Sequence, residues 1–168
     1  MSGKWGHRLV SREGLLGILC GIVIALAGCW PKEEPQLVDP ADLDRIKVGE
    51  VVRLRDLLKV PAEQVCLLTP YRDRLPETEP LSQKVNAHLE AINLWLQDNG
   101  FALVVINGDK ISAQHLTKVH QHLNVWHEAA RRIFQPLGCA SADRVLVTVV
   151  QDPAWPTLVF GEERQASP

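Results

Sequence analysis

The sequence predicts an α+β fold: a single domain with a mostly antiparallel sheet and two helices packed on it, a two-layer sandwich. Three observations lead there. Short β-branched runs recur from Val48 onward, and two stretches repeat apolar residues at helical spacing. The predicted order, strand, strand, helix, hairpin, helix, strand, strand, suits one sheet with helices laid against it.

Each element has its own signal. Val48 to Arg55 alternates as an amphipathic strand, with Val52 and Leu54 on one face. Gln64 to Thr69 is apolar and β-branched around Cys66, and Pro70 ends it as a short buried strand. Tyr71 to Pro80 is polar, with Arg72, Asp73, Arg74, Pro76 and Pro80, and reads as an exposed loop. Leu81, Val85, Leu89, Ile92 and Leu96 then mark one apolar helical face, which Asn99-Gly100 would stop. Phe101 to Ile106 is too uniformly apolar for a half-exposed strand and should be covered on both faces. Asn107-Gly108 signals a tight type I′ turn, with Asp109 to Ser112 returning as a short strand. Leu116, Val119, Leu123, Trp126, Ala130 and Ile133 repeat at three and four residues, predicting a long helix from Ala113 to Phe134. Arg144 to Val150 reads as a strand and Thr157 to Phe160 as a last edge strand.

The beginning of the chain has a different character. Lys4, Arg8 and Arg12 precede an apolar run, Leu15 to Leu26, which closes on Leu26-Ala27-Gly28-Cys29. A basic leader, an apolar centre and small residues at the end describe an export signal. An uncleaved span is the alternative, but a bilayer needs roughly 20 apolar residues, and the stretch from Leu15 to Gly28 offers about 14. The segment resembles a bacterial lipoprotein signal peptide, with Leu26, Ala27, Gly28 and Cys29 as its lipobox. The resemblance implies that Cys29 is lipidated and the chain cut before it. It also implies a cell-envelope location facing the periplasm, with the outer membrane favoured over the inner because Trp30, not aspartate, follows Cys29.

On this reading residues 1–28 are the signal peptide and residues 29–45 a lipidated, proline-rich tether. Residues 46–161 are the globular domain and residues 162–168 a frayed end. The part after the signal carries 15 basic against 19 acidic side chains, a balance with no electrostatic case for nucleic acid. Attachment to the membrane would rest on the lipid anchor.

Two cysteines, Cys66 and Cys139, then remain in the domain. In an oxidising compartment they are most simply a disulfide, closing a loop of about 74 residues at a gain of roughly 4 kcal/mol. Cys66 as a free nucleophile and a pair of buried reduced thiols are the alternatives.

His115, His120, His122 and His127 crowd the predicted long helix and raise the question of zinc. Ligands on a helix share a site at three or four residues' spacing. No two of these have it, and the seven-residue pairs stand roughly 10 Å apart by helix rise. No metal site and no cofactor is expected. No G-x-S-x-G, Walker loop, dinucleotide fingerprint or H-E-x-x-H is present. Tyr71, Arg72 and Arg74 form the most distinctive exposed cluster, and tyrosine and arginine are favoured interface anchors. The alternative is an ordinary solvated loop.

Val65-Cys66-Leu67-Leu68-Thr69-Pro70-Tyr71, followed by an apolar strand ending in Asn107-Gly108-Asp109, resembles small exported lipoproteins. Some of these are grouped as periplasmic immunity proteins for type VI secretion effectors. The chain departs from them in length and in its His-rich stretch, and no functional residue carries over. The expectation is a lipid-anchored envelope protein with a non-catalytic protein-binding domain, for immunity or an envelope complex. The alternative is a periplasmic enzyme using Cys66 or the helix histidines.

Overall fold

A computed structural model of the chain describes residues 34–98, 100–117, 122–123, 134–136, 138–151, 153 and 156–163, which belong to one unit, Glu34–Pro168. The class is α+β, as the sequence predicts. In chain order the elements are helix α1 (Pro40–Asp44), strands β1 (Val51–Arg53) and β2 (Gln64–Leu68), and helix α2 (Ser82–Ala91). Then come β3 (Gly100–Asn107), β4 (Lys110–Thr117), β5 (His122–Leu123), β6 (Phe134–Pro136), β7 (Cys139–Ser141), β8 (Val145–Gln151) and β9 (Pro156–Glu163).

The strands make two sheets where the sequence suggested one. The first has the order β4-β3-β2-β7, and the second runs β1-β8-β9-β5 with β6 also on β9. All pairs are antiparallel except β5 with β9. The period-two geometry of a strand sends alternate side chains to opposite faces, and β3 uses both. Phe101, Leu103 and Val105 join the core between the sheets, with Val145, Val147, Leu158 and Phe160 from the second sheet. Phe101 and Phe160 meet there with ring centroids 5.7 Å apart. Ala102, Val104 and Ile106 join the other core, with Val85 and Leu89 of α2. The strand is thus covered on both faces, as its unbroken apolar run requires.

Helix α2 ends earlier than expected. The apolar spacing runs to Leu96, but Asn93 takes a left-handed conformation, φ 52°. Leu94 N–H bonds Leu89 O at 2.9 Å and Asn93 N–H bonds Glu90 O at 3.0 Å. These two bonds are the Schellman cap, and Leu89 and Leu94 share one hydrophobic cluster beside it. Asn93, not Asn99-Gly100, is the stop. The β3–β4 turn is also reassigned. Asn107 pairs with Lys110, so Gly108 and Asp109 are the central residues, and only Gly108 has positive φ, 57°. Positive φ at the first central position alone is the type II′ pattern, not I′.

The predicted long helix is overturned at its start. Ala113 to Thr117 belongs to β4, paired with β3 along eight residues from Asn107↔Lys110 to Gly100↔Thr117. His122–Leu123 and Phe134 are strand residues too, while 118–121 and 124–133 lie outside the described residues. Local periodicity is a weak preference that a full ladder of backbone bonds outweighs. Strand β9 is longer than expected and is not an edge: β8 flanks one side, β5 and β6 the other.

The folded part also begins before Ile46. Leu37 and Val38, assigned to the tether on sequence, have 0% exposure in the core between the sheets. They are held by a side chain of the edge strand β4. Gln114 Oε1 accepts from Leu37 N–H at 2.7 Å and Val38 N–H at 2.8 Å, and its Nε2 donates to Val38 O at 3.0 Å. Glu34 Oε2 accepts from Ala113 N–H at 2.9 Å. One amide thus satisfies three main-chain groups that burial would otherwise orphan. Helix α1 follows, with Asp39 accepting from Ala41 N–H at 3.0 Å and Pro40 opening the first turn. That N–H, then Lys59, holds the Asp39 carboxyl below its ordinary value.

Cys66 and Cys139 are directly opposite in the β2–β7 ladder and form a disulfide, with Cα atoms 4.1 Å apart. The bridge ties β2 to the neighbouring strand β7. Its half-cystines belong to the cluster beneath α2.

Two outcomes test this account. Replacing both cysteines by alanine should lower urea stability by about 2–4 kcal/mol; an unchanged midpoint would show that the bridge contributes nothing. Gln114→Leu should cost about 2–4 kcal/mol by leaving several buried main-chain groups unpaired. Its hydrogen exchange should quicken first at Leu37 and Val38.

Candidate functional site

Strand β2 ends at Leu68, and the chain reverses through Thr69-Pro70-Tyr71-Arg72, closed by Arg72 N–H to Thr69 O at 3.0 Å. Proline fits the second place of such a turn, but the third place needs positive φ and is normally glycine or asparagine. Here it is Tyr71, at φ 62°. Its ring has no core to fill, because the residue is 71% exposed. A bulky residue in left-handed backbone, with its side chain in solvent, points from strain toward function.

Trp95 stands beside it. After the Schellman cap the chain passes Leu94, Trp95 and Leu96 with alternating burial, so Leu96 is buried while Trp95 is 69% exposed. The segment then closes with Gly100 N–H to Gln97 O at 3.0 Å and enters β3. Hydrogen bonding toward the Asp98 carboxylate, then desolvation and the Asp98 charge, raises the Tyr71 phenol above its ordinary value of 10.0.

Two open clefts flank this segment. One, of about 350 Å³, is lined by Tyr71, Asp73, Trp95, Leu96, Gln97 and Asp98. The other, of about 610 Å³, shares Trp95, Gln97 and Asp98 and continues to Gly100, His115 and Thr117. A β-carbon at Gly100 would collide with the His115 imidazole, so glycine there lets the ring lie against the sheet end.

Of the cluster expected from sequence, Tyr71 enters the cleft. Arg74 turns instead toward Glu90 of α2, 3.8 Å away. Arg72 is exposed and does not line either cleft. Trp95 and Asp98 were not anticipated, although Trp95 is a large apolar residue lying off the predicted helical stripe. His115 lies on a strand, so helical spacing does not govern its neighbours. His120 and His127 lie outside the described residues, and so do the lipobox residues Leu26 to Cys29. Among the described residues, no group of three His, Cys, Asp or Glu side chains is arranged to hold a metal ion. No helix of the described residues is long and apolar enough to cross a membrane.

No protein-family model, curated protein or solved structure matches this chain.

Tyr71 is the only tyrosine of the chain, so its titration can be followed unambiguously by phenolate absorbance. The midpoint should lie above the ordinary value and fall back toward it in Asp98→Asn. With the folded value raised, the bond's contribution to stability is complete below pH 10.0 and is lost as pH rises through the folded midpoint. Tyr71→Gly should leave the denaturation midpoint unchanged or raise it, because glycine accepts positive φ. A clear fall would make Tyr71 a structural residue.

Proposed function

We propose that the chain is a lipid-anchored envelope protein whose domain, facing the periplasm, docks a protein partner non-catalytically at the Trp95 cleft. One observation carries the docking part. Tyr71 and Trp95 stand together in solvent around shared cleft residues, and Tyr71 does so in a costly backbone conformation. Aromatic anchors that present much area with few rotatable bonds are what protein interfaces concentrate.

The anchor rests on Leu26-Ala27-Gly28-Cys29 and its basic and apolar lead. The disulfide is consistent with an oxidising compartment. It also weighs against the enzymatic alternative, since a bonded Cys66 has no thiolate with which to attack. By the resemblance to immunity lipoproteins, a secreted effector is the first partner to test and an envelope complex the second.

A photo-crosslinking residue at Gln97, on the cleft rim, should capture one defined protein in intact cells. The same residue at Lys110, the far end of β4, should not. Trp95→Ala should weaken that partner's binding roughly 30-fold or more, as loss of an interface anchor does. Equal capture at both positions, or none at Gln97, removes the docking reading. For the anchor, Cys29→Ala should abolish acyl labelling and leave the precursor uncut; persistent labelling refutes it.

A further inference from the structure

The smaller cleft has a chemical bias. Two carboxylates, Asp73 and Asp98, line it with the aromatic rings of Tyr71 and Trp95, and no lysine or arginine is among its lining residues. The nearest arginines by sequence point elsewhere: Arg74 faces Glu90, and Arg72 lines neither cleft. Ionised carboxylates are acceptors only, so Asp73 and Asp98 offer lone pairs to a donor that enters the cleft. At about 350 Å³, the space lies at the small end of ligand sites and suits a single inserted side chain.

We propose that the cleft receives a lysine or arginine side chain of the partner protein, stacked on Trp95 and hydrogen-bonded to Asp98 and Asp73. This rests on the docking reading and names the chemistry that it would recognise. A cation over an indole face gains from the ring quadrupole, and a guanidinium offers planar donors to carboxylates beside it. A neutral side chain would leave the two acidic groups without a counter-charge. The larger cleft beyond Trp95, with Gln97, His115 and Thr117, is available to the main chain on either side of the inserted residue.

The test is a nuclear magnetic resonance titration of the folded, disulfide-bonded domain, following the Trp95 indole N–H, which Trp95→Phe assigns. The probes are a pentapeptide with a central arginine, its citrulline counterpart, and an oligomer of N-acetylglucosamine. The arginine peptide should shift the Trp95 and Asp98 signals, and added salt should weaken the effect. Asp73→Asn and Asp98→Asn should each reduce affinity roughly twofold to fivefold, as expected for partly exposed charge pairs. The amide introduced by Asp98→Asn can still accept from the Tyr71 hydroxyl, so that variant removes charge without removing an acceptor. Equal shifts with citrulline, a response to the sugar oligomer but not to arginine, or no response to arginine overturns the proposal. If the Gln97 crosslink persists in those cases, only the choice of side chain is wrong; if it is also absent, the docking reading fails with it.

Discussion

The constraint on which this fold depends is that β3 must be covered on both faces. Its alternate residues feed two separate cores: Phe101, Leu103 and Val105 between the sheets, and Ala102, Val104 and Ile106 beneath α2. A strand of this kind cannot sit at the surface of a two-layer sandwich. It needs a sheet on one side and a helix on the other, so the fold has three layers where the sequence suggested two. The disulfide braces the same arrangement from β2, the neighbour of β3, by joining it to β7.

What the sequence made legible follows from how local each signal is. The burial of β3, the Cys66 strand, the Asn107-Gly108 reversal and the Arg144 strand were readable because each is set by consecutive residues. The span from Ala113 was not. Its apolar residues fit a helical period, yet Ser112, Ala113 and Leu116 are equally able to face inward from a strand, and the pairing with β3 decides. Leu37 and Val38 were missed because nearby prolines resemble a spacer. Their place in the core depends on Gln114, 76 residues away in the case of Val38.

The candidate site was half legible. Tyr71 stood out as an aromatic after proline in a polar loop, but its partners come from the segment between α2 and β3. That segment read as helix because Leu96 falls on the apolar stripe. Once Asn93 ends the helix, Trp95 projects outward between two inward leucines and lines the smaller cleft with Tyr71. The site therefore exists because of one left-handed cap at Asn93 and one left-handed turn residue at Tyr71. Asparagine is one of the residues that accept this conformation, whereas tyrosine is not, so the cost falls on Tyr71.

The Glu34 carboxylate has a consequence for the solubility of the domain. Strand β4 is the outer strand of its sheet, and an uncovered strand edge is a template for pairing with another copy. Glu34 accepts from the Ala113 N–H on that edge, while Leu37 and Val38 bond the Gln114 side chain on the face that looks into the core between the sheets. The segment ahead of helix α1 thus withholds one main-chain donor of that edge from pairing with a second copy. A recombinant fragment that starts after Val38, where the prolines would tempt one to cut, would lose two core residues and the partner of the Ala113 N–H together.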